Sequence, residues 1–453
     1  MAFDRLAAAA WYRRNRARSR DIFDLLTEQT YYSRPIALRH PIVFYDGHLP
    51  GFSFNTLVKK GLGHPSIDAR LETLFARGID PHETTAGAGG AGGAGGAGRA
   101  GEEGRAGRDD GWPARDEVRA FADEADRQVI DAILNGDVDR PGHPLLDRAE
   151  AVFTILEHEV MHQETLLYMW HRLPFDQKRK PAGYQPRVDG APPPREWVQI
   201  PAGCATLGVQ RGAHAFGWDN EHPALSASVP AFAIERHDVT NAHYLEFVDA
   251  GGYRDPQWWL PEDWAWLQRE GVEQPLFWER EDDRWHWRGM FDRVPLPAAW
   301  PVYVSQAEAS AYARWRGVRL PTEAEFQRAA YGSPQGERRH PWGDDEPDAT
   351  RGVCDFSSWD PQAAGGHPKG ASSWGVEDLV GNGWEWTSTP FGPFPGFQAM
   401  ASYPEYSADF FDQQHVVMKG ASPVTAKELL RPTFRNWFRS RYPYVYATFR
   451  CAT

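Results

Sequence analysis

Cysteine is scarce: 453 residues hold only Cys204, Cys354 and Cys451, far apart and odd in number. That argues against a disulfide framework and for a reducing compartment. Long apolar runs are missing too. No stretch of about 18 apolar residues exists to span a bilayer, and the opening Met1-Ala2-Phe3-Asp4-Arg5 lacks the apolar centre of a signal peptide. The expectation is a cytoplasmic protein with no membrane partner. A basic excess is absent as well. Against 49 Lys and Arg stand 62 Asp and Glu, a formal charge of −13, which leaves no electrostatic footprint for nucleic acid. Small molecules are the expected partners, and nothing in the chain signals an oligomeric state.

What the chain has in plenty is tryptophan, 20 residues, most of them after position 190. Such density goes with loop-rich structure in which large rings replace regular layers, or with cation-binding pockets. The length suggests two or three domains at roughly 150 residues each. Over residues 1–180, apolar positions recur at three- and four-residue steps, predicting helices at 11–27, 52–62, 66–77, 116–135 and 144–170 and hence a helical bundle. A Gly/Ala repeat at about 84–110 reads as a flexible insertion, and the proline-rich stretch 181–195 as a linker. From 196 to 453 the texture turns to short alternating segments with helices at 241–250, 306–315 and 323–331, each behind a capping Thr or Ser. The whole is an α+β chain.

The strongest chemical signal is His158-Glu159-Val160-Met161-His162-Gln163-Glu164. Its flanks contain no Gly or Pro, so the segment is helical, and an i, i+4 pair of imidazoles on one face can grip a single metal ion. The string also matches the His-Glu-x-x-His of zinc metalloproteases, with Glu159 as base. Such an enzyme needs a further ligand, and His171 falls at a spacing that suits neither common pattern. A metal-free binding protein is the third reading.

Further phrases carry a resemblance. Val198-Gln199-Ile200-Pro201-Ala202-Gly203, Gly317-Val318-Arg319-Leu320-Pro321-Thr322-Glu323, Pro341-Trp342-Gly343-Asp344 and Gly381-Asn382-Gly383-Trp384-Glu385-Trp386 resemble the formylglycine-generating-enzyme, or sulfatase-modifying-factor, domain over residues 195–453. The resemblance implies a C-type-lectin-like fold. Members that make formylglycine bind copper through paired cysteines. The matching stretch here, Arg431-Pro432-Thr433-Phe434-Arg435-Asn436-Trp437-Phe438, has none, so that activity is not expected.

A His-x-x-x-His-x-Glu bundle in front of this domain resembles the nonheme iron sulfoxide synthases of ergothioneine and ovothiol biosynthesis, whose bundle is DinB-like. The resemblance implies Fe(II), O2 as co-substrate, hercynine and a thiol. It also implies a third histidine from earlier in the chain, in a Gly-His context that Phe44-Tyr45-Asp46-Gly47-His48 matches, with His40 as competitor. Three imidazoles on one face of iron leave open positions for oxygen and substrate, while Glu164 suits orienting a ligand or bracing the bundle. In the second domain the resemblance points to Asn436 and Trp437 for hercynine, Trp437 being able to face its trimethylammonium. Phe438 stands where relatives that use γ-glutamylcysteine carry Asp, which favours cysteine, with Arg439 and Arg441 for carboxylate contacts. Tyr403, Tyr406, Tyr442 and Tyr444 are open alternatives for one proton donor. A selenium-transferring or ovothiol-type relative is the alternative function.

Overall fold

The computed structural model describes residues 3–76 and 111–453, and the expected Gly/Ala insertion lies outside them. Two compact units divide between Gly183 and Tyr184, inside the proline-rich stretch. Tyr184 belongs to the second unit, where its hydroxyl donates to Asp360 at 2.6 Å.

The first unit is helical: α1 Arg5–Asp24, α2 Ile42–Ser53, α3 Ala69–Leu74, α4 Arg115–Asn135 and α5 Glu150–Arg172. Helix α5 runs 23 residues because nothing in it breaks the ladder, and His171 and Arg172 complement its C-terminal carbonyls. Leu173 before Pro174 is held extended and ends it. Helix α2 corrects the expectation of a start at 52. Gly47, Pro50 and Gly51 read as breakers, yet all three lie inside a helix that begins at Ile42. Beyond Pro50 the chain continues as a π-helix, Phe54–Gly61, closing with Leu62 N donating to Leu57 O at 3.1 Å. Helix α3 is shorter than expected, six residues rather than twelve, capped by the Asp68 carboxylate.

Buried charge ties α1 to its neighbours. Arg16 donates to Asp126 of α4 at 3.0 Å and to Glu159 of α5 at 2.9 Å, and Tyr12 donates to Asp126 at 2.7 Å. These pairs fix which face of α5 turns toward α1.

The second unit begins with β1 Trp197–Ile200, β2 Gly203–Leu207, β3 Leu225–Val229 and β4 Phe232–Glu235, then α6 Asn241–Asp249 and α7 Pro261–Glu270. Next come β5 Trp278–Glu281, β6 Arg284–Arg288, β7 Arg293–Pro295, α8 Gln306–Trp315 and α9 Glu323–Tyr331. It closes with β8 Gly383–Pro390, β9 His415–Ala421, β10 Asn436–Arg439 and β11 Ala447–Thr448. Strands pair β1–β4, β2–β3 and β5–β6–β7, and a four-stranded sheet runs β10-β9-β8-β11. Helices α8 and α9 carry capping boxes from Ser305 with Glu308 and Thr322 with Glu325, which is why their starts were readable.

The tryptophans do replace layers. Trp218, Trp278, Trp287, Trp300, Trp384 and Trp386 are all fully buried. Among them sits Arg450, also fully buried, bonded to Glu385 at 2.6 and 2.8 Å and to Asp238 at 3.1 Å. No described helix is long and apolar enough to cross a membrane.

Candidate functional site

Three imidazoles from two helices meet in the first unit. His48 of α2 and His158 and His162 of α5 place one ring nitrogen each within 4.8 Å of the others. Ring centroids lie 5.1 Å apart for His48–His158, 5.0 Å for His48–His162 and 4.4 Å for His158–His162. Phe52 stacks on His158 at 3.6 Å and Phe44 on His48 at 5.0 Å, so the rings are held by aromatic walls. His48 and His158 are buried, and His162 beside Met161 is on the partly exposed side. His40 stays outside the trio, stacked on Phe44 at 4.0 Å.

The donor set fits a metal ion. His48 Nδ1 lies 2.7 Å from the Phe75 carbonyl, and since a carbonyl can only accept, that nitrogen carries the proton and Nε2 keeps its lone pair. Nε2 is buried with no hydrogen-bond partner among the described residues, and His162 Nδ1 is likewise without one. Each such orphan costs about 1–3 kcal/mol. Their convergence is explained by an ion that takes those lone pairs. Burial pushes the His48 imidazole down to about 4 despite its bond to Phe75. Desolvation, reinforced by the neighbouring imidazoles, lowers His158 and His162 well below the ordinary histidine range. All three are therefore neutral at pH 7, the form that ligates.

Glu159 does not serve this trio. Its carboxylate faces α1, accepting from Arg16 Nη1 at 2.9 Å and Ser19 Oγ at 2.7 Å. A zinc protease needs that carboxylate aimed at the metal-bound water, so the geometry speaks against hydrolysis. Glu164 is buried on α5. The acceptor that orients His48 is the Phe75 backbone, a partner with no sequence signature. Its seat is legible only in hindsight: a Cβ on Gly47 would overlap the Phe75 ring.

In the second unit the strand β10 carries Asn436, Trp437, Phe438 and Arg439, paired antiparallel with β9 so that Trp437 lies opposite Val417. Alternation sets Trp437 and Arg439 on one face and Asn436 and Phe438 on the other. Trp437 stacks on Phe391 at 4.2 Å with planes 4° apart, and meets Tyr406 edge-on at 5.1 Å. Tyr403 lies 5.7 Å from Tyr406. Tyr444 belongs elsewhere, against Tyr442 at 5.0 Å, and Tyr442 stacks on Phe438 at 5.1 Å. Arg439 is exposed. Arg441 is engaged, its Nε donating to Asp263 at 2.8 Å. Asn436 Oδ1 accepts from the Trp437 backbone at 2.9 Å.

What sequence reasoning missed here is Phe391 and the turn at 218–221. The Arg435 guanidinium lies 5.1 Å from Phe391 and is held by Glu323 at 2.8 and 3.0 Å. A Glu three residues after Trp218 was the available signal, since Glu221 accepts from the Trp218 backbone at 2.9 Å.

Residues 185–453 match the sulfatase-modifying factor enzyme 1-like domain, and residues 12–166 match the DinB superfamily. A hercynine oxygenase of Mycolicibacterium smegmatis is 35% identical, over 71% of this chain and 74% of that protein. A hercynine oxygenase of Mycobacterium tuberculosis is 41% identical, over 54% of this chain and 58% of that protein. Ergothioneine biosynthesis protein 1 of Neurospora crassa is 27% identical over 93% of this chain, which spans about half of that protein, 55%. With a DinB-superfamily unit followed by a sulfatase-modifying factor enzyme 1-like domain, the chain belongs to the hercynine oxygenase family.

Proposed function

We propose that this chain is a nonheme iron(II)- and O2-dependent sulfoxide synthase that joins hercynine to cysteine, giving hercynyl-cysteine sulfoxide in ergothioneine biosynthesis. The observation that carries the reading is the neutral three-imidazole cluster, supported by relatives named for hercynine oxygenation and ergothioneine biosynthesis. His48, His158 and His162 would hold iron(II), which would supply open positions for oxygen and for a thiolate, whose formation a divalent ion favours at neutral pH. The reaction balances as one imidazole C–H and one S–H giving up their hydrogens to water. One oxygen atom of O2 ends in that water and the other on sulfur.

The chain's own groups do the rest. Phe44 and Phe52 exclude water from the cluster and hold two of its rings. Phe75 keeps the His48 proton on Nδ1, so Nε2 remains a ligand. The three donors carry no carboxylate, so a bound divalent ion would keep its full charge for a thiolate. Trp437 offers an aromatic surface to the trimethylammonium group, an interaction worth roughly 0.5–2 kcal/mol, and Asn436 is the neighbouring polar contact. Phe438, packed on Tyr442, presents no carboxylate for a donor's ammonium, which favours free cysteine over γ-glutamylcysteine. Arg439 is the exposed guanidinium for a carboxylate, and Arg441 reaches one only by leaving Asp263. The proton donor is Tyr406 or Tyr403, the two phenols grouped with Trp437, ahead of Tyr444.

The test is oxygen uptake by iron(II)-loaded protein given hercynine with cysteine, γ-glutamylcysteine or a selenium donor, and histidine in place of hercynine, with products identified by mass. Coupled sulfoxide from hercynine and cysteine, lost in His48→Ala, is the expected result. No coupled product from protein shown to hold iron would overturn the assignment.

A further inference from the structure

The turn Trp218-Asp219-Asn220-Glu221 is buried at every residue, none more than 1% exposed, although two of its four side chains are acidic. Buried carboxylates persist only where they are bonded, and here each reaches a different arm of the aromatic corner around Trp437. Toward one arm, Trp218 stacks on Tyr406 at 3.9 Å. Asp219 accepts from Ser407 Oγ at 2.5 Å and from Met400 N at 3.3 Å, and Asn220 Nδ2 donates to the same Ser407 oxygen at 2.9 Å. The stretch that carries Tyr403 and Tyr406 is thus tied at Met400 and Ser407, on both sides of the two tyrosines. Toward the other arm, Glu221 takes a bidentate pair from Arg431 at 2.6 and 2.8 Å and the Thr433 hydroxyl at 2.5 Å. Arg435 donates to the Asn220 carbonyl at 3.3 Å. Residues 431–435 lead directly into Asn436 and Trp437.

We propose that the 218–221 turn is a positioning element for the cationic imidazole substrate, fixing the edge-on angle between Tyr406 and Trp437 by holding Ser407 on one side and Arg431 and Thr433 on the other. The proposal rests on the reading of Trp437 as a contact for that substrate. A packing role alone would alter stability. A positioning role alters affinity for one substrate and leaves the thiol untouched.

The experiment is an anaerobic calorimetric titration of hercynine into the full iron-loaded chain, for wild type, Trp437→Ala, Ser407→Ala, Ser407→Thr and Asp219→Asn, with iron content measured in each. Trp437→Ala is expected to weaken binding roughly tenfold. Ser407→Ala and Asp219→Asn should weaken it about fivefold, the scale of one lost hydrogen bond. Ser407→Thr, which keeps the hydroxyl, should restore it, and iron content should hold throughout. In turnover, KM for hercynine should rise while KM for cysteine stays. Wild-type affinity in Trp437→Ala would remove the underlying reading. Weak binding in Trp437→Ala with wild-type affinity in Ser407→Ala and Asp219→Asn would overturn the positioning role alone. Should Asp219→Asn fail to fold, the Ser407 pair decides.

Discussion

The three-histidine cluster and the Trp437 corner are held by opposite means. Around His48, His158 and His162 the walls are aromatic, and the charges that brace α5 sit on its other face, where Arg16, Asp126 and Glu159 pair with one another. Desolvation keeps the imidazoles neutral, and one backbone carbonyl sets a tautomer. Around Trp437 the bracing is ionic and immediate. Arg435 with Glu323 and Arg431 with Glu221 are bonded pairs one or two shells from the indole, and Lys419 donates to the Pro432 and Phe434 carbonyls at 2.8 and 2.7 Å. The imidazoles are kept neutral by desolvation and by cationic neighbours such as Arg39, whereas a site that must hold ring planes can use buried charge as struts.

That contrast can be broken at its strongest point first. Replacing His48 or His158 with Ala should remove essentially all tightly bound iron, read as metal content after desalting. Retained stoichiometric iron in both variants would sink the cluster as the metal site. The largest stability effect belongs to the second unit. Arg450→Met leaves Glu385 and Asp238 buried without their cation, which should cost about 3–5 kcal/mol. Calorimetry should show the unfolding temperature falling by about 10 °C.

A subtler test strikes the acceptor of the first site. Gly47→Ala should displace Phe75 and with it the carbonyl that orients His48, weakening iron affinity about 10–100-fold, the range found when a ligand's outer partner is lost. An unchanged affinity would mean that Phe75 is incidental. The smallest effect is a pH dependence. Burial pushes the Glu221 carboxyl up, but Arg431 and Thr433 outweigh it and hold it below the ordinary carboxylate range. A carboxyl depressed in the folded state gives stability that is present above its unfolded value, about 4.5, and is lost as pH falls through the folded value. The urea midpoint of wild type should therefore drop more steeply below pH 4.5 than that of Glu221→Gln, and parallel curves would refute the linkage.

How much was legible divides along the same line. Helix α5 and the His158–His162 pair were readable because helical spacing is local, and the capping boxes at Ser305 and Thr322 placed α8 and α9 for the same reason. His48 emerged only through its Gly-His context, since the contact that unites α2 with α5 spans more than a hundred residues. Helix α7 stands outside the expected helices, although Pro261 at its first position, Glu262 and Asp263 in its first turn and Gly271 beyond its end all signal it. Its tryptophans masked the pattern. Pro50 reads as a stop and so hides the start of α2, whereas the chain passes through it within the α-helix and continues from Phe54 as a π-helix. Arg441 reads as a carboxylate contact from its local sequence, and Asp263, its partner 178 positions away, is invisible to any local rule.

The alternation along β10 bears on how such enzymes diversify. Because Asn436 and Phe438 point one way and Trp437 and Arg439 the other, a change at 438 can retune one face of the strand without moving the indole behind it. A single-site library at 438 therefore varies the residue packed on Tyr442, on the face it shares with Asn436, while leaving the Trp437–Phe391 stack as it is.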